Sequence, residues 1–183
     1  MKSNKEFFEK PNGETLVEVV DTTDRPLMHL YLNQVHEQRL PHRSVVVLLY
    51  GPDNKIWLQK RSRFKAQHPG RWDVSTKGHV LAGESAHGTA VRKVQMELGL
   101  KADKLKMVRE LQAGPETGFE FTTVFSLGRL ARLPEPDEHE VEDGYYYSSE
   151  ELAYLVREFR ELMTPKLLNM WEGDLLFPVW DAL

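Results

Sequence analysis

Residue types and spacings that can do chemistry are concentrated between Gly78 and Leu100, GHVLAGESAHGTAVRKVQMELGL. Five residues separate Gly78 from Glu84, and seven separate Glu84 from Arg92. Ser85 to Leu98 places Ala90, Val94 and Leu98 at i, i+4 and i+8, the spacing of one apolar helical stripe. Gly99 stands where a helix ends in a left-handed residue. Positions 93, 96 and 97 share a second face, where carboxylates would converge on one hard cation. Only Glu97 supplies a carboxylate there; Lys93 and Met96 occupy the other two positions. Lys93 and Glu97 are also spaced for an ordinary surface ion pair worth about 0.3–0.5 kcal/mol.

A second group precedes this stretch. Arg61, Arg63, Lys65 and Arg71 fall in and around the loop SRFKAQHPGR. Cations so placed can hold a diphosphate, arginine through paired hydrogen bonds, although a solvated basic loop has the same composition. A third group, Asp137, Glu138, Glu140, Glu142 and Asp143, reads as a solvated acidic loop. Folded over the cations it would supply a carboxylate, with Glu138 or Glu140 best placed.

The elements that must position these groups follow from periodicity and turn chemistry. Residues 1–13 read as a flexible lead-in, and 14–183 as a single domain. Residues 14–20 alternate as an edge strand that could pair in a homodimer. Residues 28–40 read as a short helix. Residues 43–50, RSVVVLLY, form a strand buried on both faces; Gly51 to Asn54 turns the chain, and 55–61 return as the second strand of a hairpin. Short strands are expected at 72–75 and 106–113, a longer one at 118–130, and a last one at 144–147. Ser148 and Glu151 make a capping box for a helix over 148–160, and Thr164 with Pro165 opens another over 165–172. Strands before and after one buried helix make an α+β protein with a mixed sheet.

Bulk properties exclude several classes. The chain has no cysteine, hence no disulfide, thiolate metal site or cysteine nucleophile. A net charge of -4 gives no sign of a nucleic-acid or membrane surface. There is no run of 18 apolar residues and no signal-peptide core, which makes the cytoplasm the default location.

The spacing of Gly78, Glu84, Arg92, Glu97 and Gly99 resembles the Nudix box, the loop–helix–loop that binds Mg²⁺ and a diphosphate in the Nudix superfamily. The resemblance implies an α/β/α sandwich. Its hydrolases usually carry Arg-Glu-apolar-x-Glu-Glu over positions 92–97, so this box is thinned. Leu40-Pro41-His42-Arg43, Gln59-Lys60-Arg61-Ser62 through Trp72, and Glu140-Val141 are similar to isopentenyl diphosphate isomerase and its hydrolase relatives, which implies that Lys93 and Met96 are a feature of that branch. It further implies metal ligation by Glu97 and the Gly78 carbonyl. A possible second, transition-metal site would use His42, His79 and Glu120. His36 is a rough match to the set, one residue off in spacing, and a further glutamate ligand is replaced by Gly118. Diphosphate contacts would come from Arg61, Lys65, Arg71 and Lys77. Arg92 would join Glu97 and Glu120 in the catalytic set, mainly by bracing the loop through Glu84. The isomerase's catalytic cysteine falls at Lys77, which argues against isomerase chemistry. The expected activity is hydrolysis of a diphosphate linkage in a nucleoside diphosphate-X or related small molecule, with Mg²⁺ or Mn²⁺. The alternatives are a catalytically impaired diphosphate-binding module and, less favoured, a prenyl diphosphate isomerase.

Overall fold

β3 (His42–Tyr50) is the centre of the molecule, and its seven residues from Ser44 to Tyr50 are all buried. In the computed structural model, residues 15–130 and 133–177 are described; the expected lead-in lies outside them. β3 is β-branched and apolar because it is covered on both faces. Val46, Leu48 and Tyr50 face one core, closed by α3 (Ser149–Glu158) and α4 (Pro165–Glu172) through Leu152, Val156, Leu167 and Met170. Val45, Val47 and Leu49 face a second core, closed by Ala90, Val94 and Leu98 of α2 (Ala86–Leu98). The period-two alternation of one strand thus divides an α/β/α sandwich.

Among the described residues, nine strands form one branched, mixed sheet. β3 runs parallel to β8 (Glu120–Arg129) and antiparallel to β6 (Thr76–His79). β7 (Lys106–Leu111) pairs with β8. On the other branch, β4 (Ile56–Arg61) pairs with β5 (Trp72–Asp73) and β9 (Val141–Tyr147). β1 (Leu16–Val20) joins β3 at one register position and pairs along its length with β2 (Pro26–Tyr31).

Four expectations are corrected. Residues 28–40 are not one helix: Met28 to Tyr31 belong to β2, where the ladder to β1 satisfies their backbone, and only α1 (Leu32–Glu37) is helical. β1 is therefore not an edge strand, and the edge proposed for dimer pairing is already occupied by β2. The hairpin of β3 and β4 is paired in register only at Tyr50 and Ile56, beyond which the two strands separate. Ser75 bridges the split: its Oγ accepts from the Leu49 N–H at 3.0 Å and donates to the Trp57 carbonyl. The acidic segment is not simply a solvated loop. The N–H groups of Glu135 and Asp137 donate to the carbonyls of Leu98 and Glu97, each at 3.0 Å, and satisfy the open end of α2. The segment's last residues, Val141 to Asp143, lie in β9.

The helix termini agree with the sequence. Ser85 caps α2 by accepting from the Gly88 N–H, and Gly99 ends it at φ +62°. At Gly99 an added Cβ would stand 2.9 Å from the Glu135 carbonyl oxygen, so both conformation and close approach require glycine. Ser148 and Thr164 cap α3 and α4. Among the described residues, no helix is long and apolar enough to cross a membrane.

Candidate active site

Sheet register places the candidate residues. His42 lies opposite Glu120 across β3 and β8, and Ser44 lies opposite His79 across β3 and β6. Directly paired residues share a face, as do residues two apart, so His42, Ser44, His79, Glu120 and Thr122 occupy the α4 side of the sheet. Lys77 belongs to the same face, whereas Thr76 and Gly78 point to the α2 side.

On the α4 side, α1 brings His36 to His42 and His79. The three imidazole centroids are 5.1–5.3 Å apart. With Glu120 they form a group whose potential ligand atoms all lie within 4.8 Å of one another. The chemistry of this donor set fits a divalent transition ion. His42 Nδ1 donates to the Leu40 carbonyl at 2.9 Å, which leaves the lone pair on Nε2. Nε2 is buried and accepts no hydrogen bond. Burial pushes the His42 pKa down, which keeps the ring neutral as a ligand must be. Burial pushes the Glu120 carboxyl up, but the neighbouring His79 and Lys166 outweigh it and hold the group at about 2. Gly118, where the isomerase pattern has another glutamate, is in a left-handed turn at φ +71° before β8 begins.

On the α2 side, Lys93 and Glu97 are not a surface pair. Both are 5% exposed, with Lys93 Nζ 2.6 Å from Glu97 Oε1. Thr76 Oγ1 donates to Glu97 Oε2, so both carboxylate oxygens are engaged. The Lys93 methylenes lie across Gly78, where an added Cβ would come within 2.7 Å of Cε. One carboxylate with an ammonium already on it does not fit a bare Mg²⁺ ion, which needs oxygen donors in octahedral array. No step is assigned to a metal at Glu97 and Gly78.

The cations converge as expected, with one exception. Arg61 Nη1 and Lys77 Nζ lie 3.2 and 2.8 Å from Asp73 Oδ2, and Arg61 also donates twice to the Gln67 carbonyl. Asp73 is fully buried, and burial pushes its pKa up; Lys77 and Arg61 more than compensate and hold it below the usual carboxylate range. Its Oδ1 accepts from Thr164 Oγ1 at 2.8 Å, tying α4 to the same anchor. Lys65 pairs with Glu140 at 2.6 Å. Arg61, Lys65, Lys77 and Glu140 line a cavity of about 890 Å³ that Arg71 does not reach. Arg61, Lys65, Lys77, Lys93 and Lys166 face it against Glu97, Glu120 and Glu140, five cations to three carboxylates, an excess that suits an anion. Arg92 lies outside the cavity and holds Glu84 through two bonds of 2.8 and 2.9 Å; Glu84 also accepts from Thr89 Oγ1 at 2.7 Å. Glu138 is exposed and does not line the cavity.

Lys166 and Asp73 were not expected in the site. For Lys166 a signal exists: a cation in the first turn of a helix opposes the macrodipole and calls for a nearby anion. For Asp73 the signal is weaker, a lone carboxylate in a short buried strand, which requires a counter-charge.

A mixed-sheet sandwich with a loop–helix–loop beneath a cation-lined cleft defines the class. Residues 40–167 match the NUDIX domain, and the chain belongs to that family. It is 36% identical over 86 residues to an uncharacterised Nudix hydrolase of Pseudomonas aeruginosa, a match covering 47% of this chain and 51% of that one. It is 32% identical over 118 residues to the isopentenyl-diphosphate Delta-isomerase of Streptomyces griseus, covering 61% and 59%. The chain thus spans between half and three-fifths of the length of these two relatives. The crystal structure of DR0079 from Deinococcus radiodurans shares the fold, with a TM-score of 0.69 at 21% identity over 78% of this chain and 90% of that one.

Proposed function

We propose that the chain is a Nudix hydrolase that cleaves a diphosphate linkage in a nucleoside diphosphate-X or related small molecule, dependent on a divalent metal. The observation that carries this reading is the cavity, whose cations stand beside the histidine–glutamate cluster. His36, His42, His79 and Glu120 would hold the metal. Imidazole donors favour Zn²⁺, Mn²⁺ or Fe²⁺ over Mg²⁺. When bound, such an ion supplies Lewis-acid stabilisation of phosphate charge.

The chain's own residues account for the rest. Asp73 preorganises Arg61 and Lys77, so their N–H groups meet a diphosphate without being ordered by it. Lys93 and Lys65 add positive charge from the other walls. Glu97 is committed to Lys93 and Thr76 and is unsuited to accept a proton. Glu140 reaches the cavity beside Lys65 and is assigned the role of base toward the attacking water.

A non-hydrolytic diphosphate-binding module is the second reading. It is favoured by the full engagement of Glu97 and by Lys93 and Met96 at the other two metal-facing positions of the box. Isomerase chemistry is disfavoured, since Lys77 stands where that reaction needs a thiol.

The test is release of phosphate or pyrophosphate from nucleotide sugars, dinucleotides, coenzyme A and prenyl diphosphates, with Mg²⁺, Mn²⁺ or Zn²⁺. Metal-dependent turnover, abolished by His42→Ala and reduced about 10²-fold or more by Glu140→Gln, is the expected result. Tight binding of one member without turnover would replace this reading with the binding module.

A further inference from the structure

With its three imidazoles neutral, as ligands must be, the cluster carries the single negative charge of Glu120, and the chain sets a positive charge of its own against it. Lys166 Nζ lies 2.7 Å from Glu120 Oε2 and 3.2 Å from Thr122 Oγ1. The two side chains are 11% and 15% exposed, so solvent screens their attraction little. Lys166 is also held in place. It follows Pro165 at the start of α4, and the cap residue Thr164 accepts from the Leu167 N–H at 3.2 Å while donating to buried Asp73 at 2.8 Å. The Thr164 N–H donates to the Trp72 carbonyl at 2.9 Å.

We infer that Lys166 is an internal competitor for the metal: it neutralises Glu120, and a divalent ion binds the cluster only by displacing or opposing that ion pair. The consequence is selectivity. An ion that draws most of its affinity from imidazole, such as Zn²⁺, tolerates a partly neutralised carboxylate. An ion that leans on hard oxygen donors, such as Mn²⁺, does not. Lys166 thereby turns a histidine–carboxylate site toward Zn²⁺ and away from Mn²⁺. This rests on the reading that the cluster holds a metal.

The test is calorimetric titration of the full chain, stripped with chelator, with Zn²⁺ and Mn²⁺ separately. Lys166→Met and Lys166→Arg are titrated alongside, with circular dichroism to report folding. Lys166→Met, which keeps the length and loses the charge, is expected to bind Mn²⁺ at least tenfold more tightly and Zn²⁺ by a smaller factor; Lys166→Arg is expected to behave as the parent. A second readout uses the unaltered chain. Acetylation of Lys166, followed by mass spectrometry, is expected to rise several-fold when Mn²⁺ saturates the site. Equal Mn²⁺ affinity in parent and folded Lys166→Met, or unchanged acetylation on saturation, overturns the role of Lys166 and leaves the metal site standing. No binding of either ion to either protein overturns both.

Discussion

Two carboxylates, buried Glu97 and part-buried Glu120, sit on opposite faces of the same sheet, and each is met by a lysine. The distances are nearly equal, 2.6 Å to Lys93 and 2.7 Å to Lys166. The wiring differs. Lys93 is four residues from Glu97 on one helix, and Thr76 takes the remaining oxygen, so the pair is closed by local geometry. Lys166 reaches Glu120 from a different helix, 46 positions away in the chain, and three imidazoles stand alongside. A closed pair is structural; an ion pair bordered by potential metal ligands can be exchanged. The thinned box and the histidine cluster are therefore complementary: charge missing on one face of the sheet is matched by donors gathered on the other.

The strongest way to break this comparison is Lys93→Ala. It leaves Glu97 buried without its counter-charge and is expected to destabilise the fold by about 3–5 kcal/mol in urea denaturation. A cost below 1 kcal/mol would show that the pair is not closed. Asp73 provides the next test, through pH. Its folded pKa is depressed below the ordinary 3.8, so its contribution to stability is present above that value and lost as pH falls through the folded value. Thermal unfolding scans from pH 5 to pH 2 should show an acid limb that Asp73→Asn flattens. Gly78→Ala sharpens the comparison from the other side. Its new Cβ would strike the Lys93 stem and force it off its seat, with an expected loss of about 1–3 kcal/mol. The smallest effect is expected at Arg160, whose pair with Glu172 is about half exposed on both sides. Arg160→Ala should change stability by no more than about 1 kcal/mol.

The parts of the molecule legible in the sequence were those written in local chemistry. The stripe of Ala90, Val94 and Leu98, the caps at Ser85, Ser148 and Thr164, and the doubly buried β3 follow from period and propensity. What escaped depended on tertiary pairing. Residues 28–31 read as helix because nothing local announces that β1 offers them a ladder. Lys93 and Glu97 have the spacing of a surface pair, and only the strand carrying Thr76 and Gly78 shows that they are covered. His42, His79 and Glu120 came from resemblance, since sheet register, not sequence distance, makes them neighbours. Lys166 and Asp73 are not legible as site residues because their partners lie in other elements.

The split between β3 and β4 has a mechanical meaning. The strands diverge from Tyr50 and Ile56, with Ser75 hydrogen-bonded into the crook, and their far ends, Ser44 and Arg61, stand on the cavity wall. Six residues of strand make a lever about 20 Å long. A 5° change at the turn moves its tip by about 2 Å. The width of the cleft is set where the strands part, remote from it, and substitutions at Gly51 to Asn54 or at Ser75 are expected to change that width without touching a residue that lines the cavity.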